Sequence, residues 1–218
     1  MTVNVIMTFD CYGTLIDWLS GAKKAFLKLY PSEENKVDIF IKYWGEKDWE
    51  LVNSGIYRPY REILEEGFKY ALEKLGLEYT DATIKSLTYS IYDWQPFQDV
   101  KMALEELLNR GVDLGIISNT DRDFIEKSVE NIGVKFKYII VAEDIKIYKP
   151  DPKVFYMARE ILPRKRWIHV SSYPNYDIIP AIKAGVETIL LDRYNLKSEV
   201  NGLNVAIIED INRLMEFV

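Results

Sequence analysis

Six short apolar runs, at residues 3–9, 113–118, 138–142, 167–171, 188–192 and 205–208, set the limits on what this chain can fold into. Each is rich in β-branched residues and continuously apolar rather than alternating, the pattern of strands covered on both faces. The last five follow one another closely, with helical or turn-rich stretches between them. The first stands apart, followed by roughly 75 residues of helical pattern from Trp18 to Tyr92. Ala22, Phe26 and Leu29 share one helix face there, and Leu64, Phe68, Ala71, Leu72 and Leu75 share another, ending at Gly76. A further helix starts after Asp81. The expected architecture is α/β: a Rossmann-like parallel sheet core with helices on both faces, plus an inserted α-helical cap domain. The expected boundaries are 1–16 and 93–218 for the core and 17–92 for the cap.

Punctuation in the second half fits this reading. Asp99 and Gly111 bracket a helix over 100–110, Asp121 and Gly133 bracket one over 122–131, and Asp151-Pro152 opens another. A helix near Ile178–Ala184 ends at Gly185, and a short helix closes the chain.

Composition removes whole classes of function. The 218 residues carry 28 Lys+Arg against 34 Asp+Glu, a formal charge of −6, so the basic face of a nucleic-acid or anionic-membrane binder is not expected. A single cysteine, Cys11, excludes an intrachain disulfide and a cysteine zinc site. The one histidine, His169, lies inside a strand and reads as a packed core residue. No run approaches the ~20 apolar residues of a membrane span, and Met1 leads directly into an apolar run rather than a signal peptide, so the expected compartment is the cytoplasm. Only two glutamines, Gln95 and Gln98, beside abundant Ile, Lys, Glu and Tyr give a bias typical of thermophile proteins.

Ligands of open α/β sheets sit beyond the carboxyl ends of the strands, and here those ends are polar. The first strand stops at Asp10, the second at Ser118-Asn119-Thr120. The third leads to Lys149-Pro150-Asp151, and the fourth ends at Ser171-Ser172 with Asn175 and Asp177 behind. Strand ends also collect capping residues; four such clusters on one edge are harder to explain that way.

FDCYGTLID at 9–17, IISNT at 116–120, YKPDP at 148–152 and HVSSYPNYD at 169–177 resemble, in order, the four motifs of the haloacid dehalogenase superfamily. The helical insert sits where that superfamily carries its first type of cap. The first motif is most similar to that of the 2-haloacid dehalogenase branch, with Tyr12 where phosphatases have a second aspartate. The resemblance implies that Asp10 is the nucleophile, that Thr14 orients it, and that Lys149 keeps it ionised. It implies that Asp177 steadies Lys149 or activates water, and that Cys11, Tyr12, Ser118, Asn119, Ser171 and Asn175 surround the substrate. A phenol at position 12 cannot stand in for a carboxylic acid near neutral pH, but halide leaves without a proton. Ser171-Ser172 replaces the Gly-Asp of metal-dependent members, and a hydroxyl is a poor ligand for a hard cation.

Two departures from the dehalogenase pattern concern the substrate. The expected cap arginine has no counterpart within Phe40–Trp49, and Lys42, Arg58 and Arg61 are the nearby cations. Phe155 stands where that branch has a tyrosine, with Tyr156 following. Trp18, Trp44, Trp49 and Trp94 read mostly as core, with a few lining a pocket under the cap. The implied function is hydrolytic halide release from a small 2-halo carboxylic acid through an aspartyl ester, with no cofactor, a small anionic substrate as partner, and a monomer or homodimer as assembly. The alternatives are a phosphatase holding magnesium on Asp10, the Tyr12 backbone and Asp177, and a weakly catalytic metabolite-binding member.

Overall fold

The structure, a computed structural model, describes residues 4–218. Val3 of the first expected strand, with the rest of 1–3, lies outside the described residues. The strands are β1 (Val5–Phe9), β2 (Asp113–Ser118), β3 (Tyr138–Val141), β4 (Arg166–Ser171), β5 (Glu187–Leu191) and β6 (Ala206–Ile208). The helices are α1 (Trp18–Leu29), α2 (Val37–Val52), α3 (Tyr60–Lys74), α4 (Asp81–Tyr89), α5 (Val100–Asn109), α6 (Arg122–Ile132), α7 (Ala142–Ile145), α8 (Lys153–Ile161) and α9 (Ile179–Lys183).

The six strands form one sheet in the order β3-β2-β1-β4-β5-β6, and every adjacent pair is parallel. β1 is completely buried because helices cover both faces, which is why its sequence is apolar at every position but Thr8. The chain crosses from β3 to β4 over β1, so the switch point of the doubly wound order falls between β1 and β4.

α1 to α4 form the insert between β1 and α5. Its interior is aromatic: Phe26 packs on Phe40 at 4.6 Å between ring centroids, Phe40 on Phe68 at 5.9 Å, and Trp44 on Phe68 at 4.8 Å. Two helix glycines make room for tryptophans. A Cβ on Gly67 would come within 2.7 Å of Trp44, and one on Gly21 within 2.2 Å of Trp94. The two strands of chain linking insert to sheet run side by side. Asp17 N–H donates to Gln95 O at 2.9 Å, and Phe97 N–H to Leu15 O at 2.9 Å. The apolar cluster of the insert is continuous with one face of the sheet, from Phe26 through Trp94 to Phe9.

Expected and observed elements differ mainly at helix starts, for a common reason. Three aspartates expected to cap their own helices bond elsewhere or one turn early. Asp99 takes the Arg193 guanidinium at 2.9 and 3.1 Å. Asp121 accepts the Tyr60 and Arg61 N–H groups at the start of α3. The Asp151 carboxylate accepts the Lys153 N–H at 2.9 Å, so α8 begins at Lys153. The helix expected from Ile178 is preceded by a π turn, Pro174–Ile178. No helix among the described residues is long and apolar enough to cross a membrane.

Candidate active site

β1 delivers Asp10 to the carboxyl edge of the sheet, and the chain turns at once. Gly13 has φ +89°, and a Cβ there would lie 2.2 Å from the Tyr173 hydroxyl oxygen, so only glycine allows the loop to close against Tyr173. Thr14 Oγ1 donates to Asp10 Oδ2 at 3.0 Å and accepts the Ser172 N–H at 3.0 Å. The Thr14 hydroxyl thus ties the end of β1 to the end of β4.

Lys149 is buried, and all three ammonium protons have acceptors: Asp10 Oδ1 at 2.8 Å, Asp177 Oδ1 at 2.6 Å and Ile117 O at 2.9 Å. Its backbone is held by Asn119, whose Nδ2 donates to Lys149 O at 2.7 Å and whose Oδ1 accepts the Lys149 N–H at 2.8 Å. The Asn119 side chain is therefore a clamp on Lys149.

His169, expected to be a passive core residue, joins the same network. Its Nε2 lies 2.9 Å from Asp177 Oδ1 and its Nδ1 2.9 Å from Thr8 Oγ1. Thr8 Oγ1 also accepts the Trp167 Nε1–H at 2.8 Å. Donor and acceptor matching assigns the proton to Nε2, donated to Asp177, with Thr8 donating to Nδ1. Asp177 Oδ1 is then shared by two donors, while the buried Oδ2 has no partner among the described residues, and Asp177 lines a cavity between sheet and insert.

The electrostatics follow from burial and this sharing. Burial pushes Asp10 above the usual carboxylate range, and Asp177 adds to the shift; Lys149 and Thr14 oppose it incompletely. Burial pushes Asp177 upward too, but the Lys149 ammonium and the His169 hydrogen bond outweigh it and hold Asp177 below its ordinary value. Burial works against the charge on Lys149, but the two carboxylates overcome it and keep the ammonium protonated.

A cavity of 490 Å³ opens between sheet and insert, with Asp10, Ser118, Lys149 and Asp177 on its floor. Ser118 lines this space, and its Oγ has no partner among the described residues. Tyr12 lines a wall, its hydroxyl 3.0 Å from Ser128 Oγ and its ring edge-on to Trp94 at 5.8 Å. Burial pushes the Tyr12 phenol well above its ordinary value, so it is a poor general acid near neutral pH. The roof is aromatic, with Trp18, Trp44, Trp94 and Tyr60.

Three expected substrate contacts do not reach the cavity. Asn175 Nδ2 donates to Glu199 at 2.9 Å on the surface, because the π turn carries residue 175 outward and Asp177 inward. Ser171 Oγ accepts the Tyr173 N–H at 3.0 Å and is buried in the turn after β4. Cys11 is fully buried below the loop, where burial pushes its thiol well above its usual value. The residues that sequence reading underrated are His169 and Asp48, a cap residue on the cavity wall.

The candidate cap cations are engaged elsewhere. Arg58 bonds Glu66 at 2.7 Å and Glu62 at 3.4 Å, and Arg61 bonds Asp121 at 2.8 Å and Asp123 at 2.6 Å. Lys42 lies 3.9 Å from Glu46. Phe155 packs against His169 at 5.0 Å, and the exposed Tyr156 points its hydroxyl to Lys183 O at 3.2 Å, so neither offers a hydroxyl to the cavity. Lys149 Nζ occupies the position between Asp10 and Asp177, and the described residues bring no three His, Cys, Asp or Glu side chains into metal-binding reach.

The family model of haloacid dehalogenase-like hydrolases matches residues 6–185. The chain is 29% identical over 174 residues to the (S)-2-haloacid dehalogenase H-109 of Pseudomonas putida, covering 76% of each chain. It is 28% identical over 204 residues to the haloacetate dehalogenase H-2 of a Moraxella strain, covering 90% of this chain and 89% of the relative. The fold superposes on a solved L-2-haloacid dehalogenase with TM-score 0.86 and 23% identity, over 100% of this chain and 99% of that one. It superposes with TM-score 0.81 and 21% identity on the Xanthobacter autotrophicus L-2-haloacid dehalogenase with chloropropionic acid covalently bound, over 99% of this chain and 98% of that one.

Proposed function

The chain belongs to the haloacid dehalogenase-like hydrolases, and from that premise we propose that it hydrolyses the carbon–halogen bond of a small 2-halo carboxylic acid. One observation carries the reading: a buried carboxylate, Asp10, is oriented by Lys149 and Thr14 at the floor of an aromatic cavity, with a phenol of raised pKa where a leaving-group acid would stand.

The substrate carboxylate sits toward Ser118, whose hydroxyl donates to it, near the N-terminal end of α6. An Asp10 oxygen attacks carbon two; the carbon–oxygen bond forms as the carbon–halogen bond breaks, and halide leaves with the bonding pair. Burial that raises Asp10 also strips it of water and makes it a better nucleophile. Water then attacks the Asp10 carbonyl carbon, and Asp177 Oδ2 accepts its proton. The ester opens, the leaving alkoxide takes the second water proton from the hydroxyl added at Asp10 and departs as a 2-hydroxy acid, Asp10 regains its carboxylate, and the proton on Asp177 passes to solvent. Lys149 stays charged throughout and balances whichever of its two partners is negative. We also propose that the cap, residues 17–92, moves on the core, 1–16 and 93–218, to admit substrate and exclude water.

The test is halide release from racemic 2-chloropropionate by wild type and Asp10→Asn, with EDTA present. Release by wild type alone supports the reading. Equal release by both proteins, or release abolished by EDTA, overturns it.

A further inference from the structure

The cavity wall opposite Asp10 breaks the pattern of the helix that supplies it. Along α2 the inward stripe runs Val37, Phe40, Trp44, Asp48, Val52, at steps of three and four residues. Four of these positions are apolar and buried, as a helix stripe facing a core should be. The fifth is a carboxylate that borders the cavity.

Asp48 is poorly matched by its own protein. Oδ2 accepts the Tyr176 hydroxyl at 3.3 Å, and Oδ1, out of contact with solvent, has no partner among the described residues. Burial pushes its pKa up to about 6 against the opposing pull of the nearby Tyr60 and Tyr176 hydroxyls, so it is ionised at neutral pH. The rings beside it are Trp44, Tyr60, Trp49 and Tyr176, the last two meeting edge to face at 4.7 Å. Electron-rich ring faces around an unmatched carboxylate attract a cation and repel an anion.

The charge balance of the whole cavity agrees. Asp10, Glu46, Asp48 and Asp177 line it against one ammonium, Lys149, whose three protons are all engaged. The cavity of 490 Å³ is also of the size that holds drug-like ligands rather than a six-atom acid. Such a lining suits a substrate with an anion at one end only.

We propose that Asp48 and the rings around it form a subsite for an alkylammonium group, so that the substrate is a zwitterionic 2-halo acid. Its carboxylate lies toward Ser118, its reacting carbon over Asp10, and its ammonium on Asp48. The orientation rests on the dehalogenase reading; the ammonium subsite does not depend on which bond Asp10 breaks.

Two measurements separate these parts. The first is binding of n-hexylammonium and of hexanoate to the whole protein at pH 7.5, read by melting temperature and by quenching of tryptophan fluorescence. Hexylammonium is expected to raise Tm and quench fluorescence while hexanoate does neither. Asp48→Asn, which keeps the shape and one acceptor for Tyr176, is expected to weaken hexylammonium binding at least about tenfold. Equal responses to the two probes, or unchanged binding in Asp48→Asn, overturn the subsite. The second is halide release from 2-chloro-6-aminohexanoate and 2-chlorohexanoate. A kcat/KM preference of about tenfold or more for the amino acid, lost in Asp48→Asn, supports the full proposal. Hexylammonium binding that depends on Asp48, with no halide released from either acid, leaves the subsite standing and removes the dehalogenase reading. Equal turnover of both acids without hexylammonium binding does the reverse.

Discussion

Lys149 is the residue on which the candidate chemistry converges and also the wrong one to mutate first. Removing it leaves two buried carboxylates unpaired, which destabilises a protein by about 3–5 kcal/mol and confounds any rate measurement. His169 is the cleaner probe because it touches the network through Asp177 alone on that side. His169→Phe removes one hydrogen bond to a charged group, worth about 1.5–3 kcal/mol. If Asp177 accepts the water's proton, the variant should turn over about 10–100-fold more slowly. The acid limb of its pH–rate profile should also move to higher pH, since His169 helps hold Asp177 low. A loss of rate with an unmoved pH profile would assign His169 a packing role. Asp48 gives a second residue-scale prediction, with the opposite sign from a paired acid. Its pKa is raised to about 6, so the folded protein holds a proton that the unfolded chain loses nearer pH 4. Its effect on stability therefore becomes unfavourable as pH rises from about 4 to 6 and stays so above. Asp48→Asn should melt above wild type at pH 7.5 by an amount worth about 1–2 kcal/mol, allowing for partial exposure. The difference should shrink at pH 4.5.

At the scale of elements, the cap is fastened to the core at a helix end. The Asp121 carboxylate accepts the Tyr60 and Arg61 N–H groups at 2.7 and 3.0 Å, capping α3 from across the cleft. Arg61 returns the contact to Asp121 and Asp123 while its guanidinium lies over the Phe124 ring at 5.0 Å. Arg61→Ala should cost about 1–3 kcal/mol, roughly 2–12 °C in Tm for a chain of this size. It should also speed amide exchange in the first turn of α3; unchanged exchange there would show that the cap is held by its apolar contacts alone. Much of the architecture was legible in the sequence because buried parallel strands announce themselves as unbroken apolar runs. Lys149 and Asp177 were legible as strand-end residues, Thr14 only through the resemblance of its motif, and the three do meet around Asp10. Asp121 was not, because a residue that precedes one helix gives no sign that it caps another 60 positions away. Asn175 misled because a π turn shifts which residues of the segment face inward. His169 was hidden by its apolar strand, since only the pairing of Thr8 with His169 across β1 and β4 reveals its partner. Asp48 did leave a trace, as the charged position in an otherwise apolar helix stripe.

At the scale of the whole molecule, β1 is central in the sheet but first in the chain. Its neighbours β2 and β4 arrive only after the insert, and Thr8 finds His169 161 residues later. The insert, by contrast, is built from neighbouring helices joined by short turns, and α2 meets α3 across one loop. Local contacts close little chain and form early, whereas distant strand pairs wait on large loops. The cap should therefore assemble before the sheet does. Pulsed hydrogen exchange during refolding should protect α2 and α3 amides ahead of β1; simultaneous protection would contradict this order. During synthesis the consequence is sharper. Asp10 leaves the ribosome long before its ammonium partner, which is made 139 positions later. For that interval the nascent chain carries an unpaired aspartate on a strand without a sheet. The half-made protein is a helical bundle whose partner sheet has yet to be written.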